Sequence, residues 1–153
     1  MSDGEVLELL SEERTMVCAT QGPRGWPHLM PLWYVLRPTG PGGATELWAW
    51  TFAKSQKARN LERDPRATVQ VETGEEYHEL RGVMLECDVE LDRDTAAVTA
   101  LGLEIFTRYA PDGVTLAPEA EEAVRRQAPK RVALRFVERH RATWDHRKLG
   151  GVY

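Results

Sequence analysis

The chain has 153 residues and a formal net charge of −4, with 42% hydrophobic and 29% charged residues. These values are typical of one globular domain with its own core, and the net negative charge argues against a general nucleic-acid binder. No apolar run approaches the roughly 20 residues that a membrane span needs, and residues 1–14 lack the apolar segment of a signal peptide. We therefore expect a cytoplasmic protein with no nucleic-acid or membrane partner.

The first part of the chain predicts a short helix and three strands. Residues 3–13 carry one apolar face, with Ser2 or Asp3 as the helix cap. The β-prone runs that follow are separated by Gly- and Pro-rich turns, of which the second spans residues 37–43. The expected strands are 15–20, 28–36 and 46–50.

The second part predicts three more strands and two longer helices. Alternation of apolar and polar residues predicts half-buried strands, and caps and periodicity predict helices. The strands are 67–73, 80–91 and 131–138, the last continuing toward Trp144, and the helices are 95–109 and 118–127. Six meandering strands without a βαβ rhythm favour a single domain, residues 1–153, that is mainly β: a six-stranded antiparallel barrel with edge helices.

The cysteines and histidines do not predict a metal site. Cys18 and Cys87 each lie in an apolar or alternating run, which favours buried, reduced thiols over a disulfide. The four histidines show neither an HExxH pattern nor a cysteine at ligand spacing. His28 and Tyr77 are candidate proton donors, but the sequence assigns a catalytic role to neither.

The segment from Lys54 to Pro65 is the strongest candidate for a binding site. Ser55 stands where the N-cap of a helix belongs, Lys54 and Lys57 lie beside it, and Pro65 ends the helix. The unpaired N–H groups and positive dipole end of such a helix start favour a phosphate. A capped surface helix explains the same spacing equally well, so both interpretations stay open at this point.

Aromatic residues are concentrated in the two strands that lead to this helix. They are Trp33, Tyr34, Trp48, Trp50 and Phe52. Such side chains either stack on a planar ring or pack in a core or interface, and the sequence leaves both roles open. The C-terminal segment, residues 144–153, is aromatic and patterned, and we expect it to dock on a partner chain.

Together these motifs resemble the pyridoxamine 5′-phosphate oxidase-like split β-barrel flavoproteins. The resemblance is carried by Gly25–Tyr34, by the aromatic strand after it, and by Lys54–Pro65. The ending Trp144–Gly151 resembles the actinobacterial flavin and deazaflavin oxidoreductase branch of that family. The resemblance implies a homodimer with two symmetric cofactor sites at the subunit interface.

The resemblance also implies which residues bind the cofactor. Lys54, Ser55 and Lys57, with Asn60 nearby, would hold its phosphate. Its ring would be lined by Pro31, Leu32, Trp33 and Tyr34, partly through their backbone, and by Trp50 and Thr51. Gln56 stands where the pyridoxamine oxidases usually have a second basic residue, and their substrate-binding C-terminal pattern is missing, so oxidation of pyridoxine phosphate is not expected.

The expected cofactor is coenzyme F420, with FMN as the alternative. F420 carries an oligoglutamate tail, whose carboxylates would interact favourably with the additional cations Lys54, Arg59 and Arg63. The expected function is an F420-dependent reductase that transfers a hydride from the reduced deazaflavin to a small unsaturated organic substrate. An FMN-binding flavoprotein of the pyridoxamine phosphate oxidase type, and a non-catalytic carrier of a flavin, haem or lipid-type ligand, remain open.

Overall fold

The computed structural model describes residues 1–39, 45–111 and 114–150. Within these ranges the chain forms four α-helices and seven strands. The helices are α1 (Asp3–Glu12), α2 (Gln56–Arg63), α3 (Thr95–Tyr109) and α4 (Pro118–Gln127). The strands are β1 (Met16–Gln21), β2 (Pro27–Leu32), β3 (Val35–Pro38), β4 (Thr45–Phe52), β5 (Arg66–Thr73), β6 (Arg81–Asp92) and β7 (Arg131–Asp145). Most of the predicted turn at 37–43, and residues 151–153 of the C-terminal motif, lie outside the described residues.

The strands form one antiparallel sheet in the order β2-β1-β5-β6-β7-β4-β3. The predicted mainly β, antiparallel class with peripheral helices is therefore confirmed. The predicted number of six strands is wrong, because the expected strand 28–36 is interrupted at Trp33 and Tyr34 and its two halves lie at opposite edges of the sheet. Among the described strands β2 and β3 do not pair, so the sheet is not closed into a barrel.

The interruption at Tyr34 is caused by the two helices that cover it. The phenol hydroxyl lies 2.8 Å from the carbonyl of Leu10 and 2.9 Å from that of Glu13, at the end of α1. Arg108 of α3 donates to the Tyr34 carbonyl at 2.6 Å, and the Tyr34 N–H donates to the Tyr109 hydroxyl at 3.0 Å. Because side chains satisfy these backbone groups, they are not available to a strand partner. With two residues between them, the ends of β2 and β3 lie within about 11 Å of each other, so the sheet is strongly curled.

The core has two parts, one on each side of β4. The first lies between the concave face of the sheet and helices α1 and α2, and it contains Cys18 and Cys87, which are buried and free as predicted. The second lies between β4, β7 and the helices α3 and α4, and Trp50 packs there beside Gly102. Successive residues of a strand point to opposite faces, which is why Ala49 belongs to the first core and Trp50 to the second.

The C-terminal motif packs on its own chain. Trp144 lies opposite Gly82 of β6, and its indole fills the space where a Cβ would stand. Lys148 donates to Glu5 of α1 at 2.6 Å, and the rings of His146 and Tyr77 are in tilted contact, with centroids 4.6 Å apart. Residues 144–150 thus contact β6, Tyr77 and α1 of their own chain, and their docking on a partner stays a prediction.

Membrane-spanning helices are not found in the described part of the chain, where every helix is too short or too polar to cross a bilayer.

Candidate functional site

The helix start at Ser55 has the geometry that the sequence predicts. Ser55 is the N-cap of α2, and its hydroxyl accepts a hydrogen bond from the Ala58 N–H at 3.2 Å. The Thr51 hydroxyl, at the end of β4, lies 3.3 Å from the Ser55 hydroxyl. Two hydroxyls and the first N–H groups of α2 thus converge where β4 passes into the helix, which is the donor set that a phosphate requires.

Lys57, in the first turn of α2, is a buried cation without a counter-charge. Its side chain is 4% exposed, and it makes no hydrogen bond or ion pair with any residue that the structure describes. Burial lowers the pKa of this ammonium group. The nearby thiol of Cys18 does not neutralise it, because burial raises the pKa of that thiol to about 12 and keeps it protonated. A desolvated, unpaired cation is costly, and a bound anion would remove that cost.

Asn60 has a supporting position behind the helix start. It is fully buried, and its amide nitrogen donates to the Thr20 hydroxyl of β1 at 3.0 Å. Its amide oxygen accepts from Gln56 at 2.8 Å and from Arg63 at 3.3 Å. The side chain is therefore occupied in holding α2 against β1, and it acts on the helix start by positioning it.

The other cations of residues 54–65 differ in whether another residue binds their charged group. Lys54 and Arg59 are exposed, and neither has an ion-pair partner within residues 1–39, 45–111 and 114–150. Arg63 is engaged, because it donates to the backbone carbonyl of Gln21 and to Asn60. Of the cations predicted to meet an acidic tail, Lys54 and Arg59 have their charge available.

An aromatic pocket of about 390 Å³ lies on the other side of β4. It is lined by Thr15, Pro31, Leu32, Trp33, Trp50, Phe106 and Arg131. Four residues predicted to line the ring, Pro31, Leu32, Trp33 and Trp50, are thus brought together. Trp33 stacks on Tyr109 with ring centroids 4.4 Å apart, and Phe106 meets the edges of both Trp33 and Trp50. The flat aromatic walls suit a planar ligand, and Thr15 and Arg131 add polar groups to the lining.

Tyr34 does not line this pocket. Its ring is fully buried against the end of α1, and its backbone N–H and carbonyl are bound by Tyr109 and Arg108. These contacts fix the course of the chain directly after Trp33, which is half exposed. Tyr34 therefore holds Trp33 at the rim of the pocket.

The pocket and the helix start lie on opposite faces of β4. Trp50 points toward α3 and into the pocket, whereas Thr51 points toward α2 and Ser55. Lys54, Ser55 and Lys57 do not line the pocket. The two half-sites adjoin at the end of β4, so a ligand that used both would have to pass around that strand end.

Arg131 is a pocket residue that sequence reasoning missed. Its guanidinium carbon lies 4.3 Å from the Trp50 ring and 4.1 Å from the Phe52 ring, and its Nε and Nη2 donate to Gln127 at 3.1 and 2.6 Å. No carboxylate of the described residues pairs with it, and burial lowers its pKa. The only sequence signal is its place at the start of the strand that pairs with Trp50.

His28 has an unused nitrogen. It lies opposite Thr20 in the pairing of β1 with β2, and Thr20 in turn contacts Asn60 of α2. The Nδ1 atom of His28 is buried and hydrogen-bonds to no group that the structure describes. The described chain contains no cluster of three or more His, Cys, Asp or Glu side chains suited to a metal ion. Within the described chain, the groups near α2 without a hydrogen-bond partner therefore include the Lys57 ammonium, which can donate to an anion, and the buried Nδ1 atom of His28.

The antiparallel sheet with its peripheral helices corresponds to a known protein family. A model of the pyridoxamine 5′-phosphate oxidase family matches residues 2–144, so the chain belongs to this flavin-binding family, which includes oxidoreductases. Among curated proteins no significant match was found.

Several solved structures share this fold. A conserved hypothetical protein from Mycobacterium tuberculosis is 38% identical with a TM-score of 0.84, over 100% of this chain and 90% of that one. An F420 reductase is 22% identical with a TM-score of 0.67, over 93% and 98% of the two chains. The haem storage protein HutZ from Vibrio cholerae is 16% identical with a TM-score of 0.67, over 94% of each chain. At these lower identities the last two show a shared fold alone.

Proposed function

We propose that this protein is an F420-dependent reductase that transfers a hydride from the reduced deazaflavin to a small unsaturated organic substrate. The observation that carries the proposal is the largely buried side chain of Lys57, which has no counter-charge in the described chain and stands beside a Ser-capped helix start. Family membership and the likeness of the fold to an F420 reductase support it.

In this proposal the phosphate is held by α2. Lys57 supplies the charge, Ser55 and Thr51 supply hydroxyls, and the first N–H groups of the helix supply directed donors. Asn60 keeps the helix in place through Thr20. Lys54 and Arg59, exposed and unpaired within the described ranges, would meet the carboxylates of an oligoglutamate tail.

The ring would lie against the aromatic pocket. Pro31, Leu32, Trp33 and Trp50 form its walls, and they would orient the ring and exclude water from the reacting face. The reduced deazaflavin, when bound, supplies the hydride, so the chain itself needs to provide position and electrostatics. We assign no proton donor on the protein.

We further propose that the functional unit is a homodimer. Strand β2 has an unpaired edge in the described sheet and is exposed on both faces, with Leu29 57% and Met30 44% exposed. Pro31 and Leu32 of the same strand line the pocket. A second copy seated on β2 would therefore cover apolar surface and complete the site that the two half-sites leave open.

FMN is the second candidate for the same site. It is favoured by the engagement of Arg63 with Gln21 and Asn60, which leaves fewer free cations for an acidic tail. The grouping of Ser55, Thr51 and Lys57 suits a single phosphate of either cofactor. A carrier without turnover would use the same contacts, and the haem storage protein shows that the fold is shared with such a protein.

Titration of the purified, cofactor-free protein with F420 and with FMN tests the proposal. We expect saturable absorbance changes at micromolar F420 and weaker binding of FMN, followed by reduction of an enone or quinone by reduced F420. Tighter binding of FMN would select the second candidate, and binding without turnover over a broad substrate panel would select the carrier. Binding of neither cofactor at micromolar concentrations would contradict the proposed function.

A further inference from the structure

Two arginines of β7 lie on the same face of the strand but in different electrostatic settings. Arg131 and Arg135 are four residues apart, and both guanidinium groups stand over tryptophans of β4, at 4.3 Å from Trp50 and 6.0 Å from Trp48. Arg135 is neutralised by Glu46 at 2.7 Å and by Glu90 at 3.0 Å. Arg131 has no such partner in the part of the chain that the structure describes. The pair therefore contrasts a structural arginine with one whose charge is unused.

The orientation of Arg131 leaves part of its donor set free. An arginine side chain has five N–H donors in one plane, and here only Nε and Nη2 are engaged, both by the amide oxygen of Gln127. The rings of Trp50 and Phe52 hold the guanidinium group by its faces. The remaining donors lie along the edge of a fixed plane, which is the arrangement that binds two adjacent acceptor atoms.

The ligand that fits these donors is a planar anion. The pocket has flat aromatic walls, Trp33, Trp50 and Phe106, and polar groups also line it, among them Arg131 and Thr15. A conjugated ligand with two neighbouring oxygen or nitrogen acceptors at one end would place its plane against these walls and its charged end at Arg131. A neutral apolar ligand would leave the half-buried guanidinium without a counter-charge.

We propose that Arg131 makes the aromatic pocket selective for planar, conjugated anions. The recognised edge is either a substrate carboxylate or the N–C–O edge of a flavin-type ring, which have the same acceptor geometry. If the edge belongs to a flavin-type ring, this proposal rests on the proposed function. If it belongs to a substrate carboxylate, it does not.

The test compares an anionic and a neutral probe of the same shape. Binding of 1-naphthoate and of 1-naphthalenemethanol to the purified full chain is followed by tryptophan fluorescence. We expect naphthoate to bind more tightly than the alcohol, and Arg131→Gln to weaken naphthoate binding about tenfold or more while the alcohol is unaffected. Arg131→Lys, which keeps the charge but not the paired donors, is expected to give an intermediate loss.

Arg135→Gln is the matched control, because it removes an arginine from the same strand face whose charge is already neutralised. It is expected to leave both probes unaffected. Equal affinity of the two probes for the wild-type protein, or equal effects of Arg131→Gln on both, would overturn the proposal. Since the alcohol does not need the charge, its unchanged binding also shows that the variant is folded.

A second arm separates the two sources of the anionic edge. If the edge belongs to the cofactor, Arg131→Gln weakens F420 or FMN binding and naphthoate competes with the cofactor. If it belongs to the substrate, the variant binds cofactor normally and naphthoate binds beside it. Failure of both cofactors to bind would contradict the proposed function, while charge-dependent binding of naphthoate would still support the role of Arg131.

Discussion

The burial of Lys57 is unfavourable for the stability of the cofactor-free protein. A buried lysine pays for desolvation, and here no acidic group within the described ranges offsets that cost. Helix α2 could have carried a methionine or leucine at this position and filled the same space beside Cys18. A bound anion, as in the proposed function, would offset this cost, and a variant can separate the contributions of Lys57 to stability and to binding.

We expect Lys57→Met to have opposite effects on stability and on binding. The free energy of unfolding of the cofactor-free protein should rise, because a desolvated charge is removed, whereas cofactor affinity should fall by roughly 1.5–3 kcal/mol with the loss of a charge-assisted contact. Urea denaturation and absorbance titration measure the two quantities. Lys148→Met, which removes an exposed cation paired with Glu5, serves as control. Unchanged cofactor affinity of Lys57→Met would make Lys57 a residue of the helix surface only.

The same lysine predicts a pH dependence of stability. Its pKa in the folded protein is below the ordinary value of 10.5, so between the folded and unfolded pKa values the unfolded chain binds more protons. The contribution of Lys57 to the free energy of unfolding therefore rises as the pH increases through that window toward 10.5. Below the window the lysine is charged in both the folded and the unfolded chain, and the full cost of desolvating it in the folded protein applies. We expect the difference in stability between Lys57→Met and the wild-type protein to shrink from pH 7 to pH 10. A constant difference would contradict the inferred burial of the charge.

At the scale of elements, Gly102 shows how tightly α3 is packed on β4. A Cβ at this position would lie 2.5 Å from the Trp50 indole and 2.8 Å from Val124. Alanine in a helix interior is favoured over glycine by about 0.5–1 kcal/mol, but overpacking of a core typically costs about 1–3 kcal/mol. The clash is the larger effect, and it acts on a wall of the aromatic pocket.

Gly102→Ala should therefore destabilise the protein by about 1–2 kcal/mol and weaken binding of planar ligands by displacing Trp50. Gly4→Ala is the matched control, because Gly4 lies in the first turn of α1, where a Cβ would meet only the Ser2 hydroxyl, at 4.0 Å, and alanine should stabilise by at most about 0.5–1 kcal/mol. Thermal or urea denaturation of both variants gives the comparison. A stabilised Gly102→Ala protein would show that α3 can move away from β4 at little cost.

The same elements show what the sequence could predict. Helices α3 and α4 begin and end where the sequence places them, because caps, periodicity and Pro118 are local signals. The split of the strand at 28–36 was not predictable, since it depends on Arg108 and Tyr109, which bind Tyr34 from far along the chain. Pro31 within this run is compatible with an edge strand, but no residue of the run indicates that side chains from α3 bind the backbone of Tyr34.

For the candidate site, too, the sequence predicts the local motifs and not the contacts between distant segments. The helix start at Ser55 is a local motif and is confirmed as a capped helix, and Pro31, Leu32 and Trp33 are neighbours in sequence. Arg131 and Phe106 reach the pocket only through the pairing of β4 with β7 and the packing of α3. Residues that a fold delivers from distant segments leave no pattern in a single sequence, so that part of the site required the structure.

At the scale of the whole molecule, strand β2 is an exposed apolar surface at one edge of the sheet. An apolar strand with an unpaired edge invites association, and proteins usually protect such an edge with charges, bulges or a covering element. Here Leu29 points outward beside Val17, which is itself 40% exposed, and no helix of the described chain covers them. Because β2 also ends at the pocket, binding of a second copy of the chain would cover this apolar surface and complete the site at the same time.

We expect the wild-type protein to be a dimer and Leu29→Asp to be a folded monomer. Burying a carboxylate at the centre of an apolar interface should raise the dissociation constant of the dimer about a hundredfold or more. Light scattering after size-exclusion chromatography measures the mass, and circular dichroism reports the fold. Leu7→Asp, which changes an exposed leucine of α1, should remain dimeric. If the dimer completes the cofactor site, Leu29→Asp should also lose cofactor affinity in proportion to the fraction of monomer. A monomeric wild-type protein that binds cofactor fully would show that one chain suffices and that the two half-sites of β4 are joined without a partner.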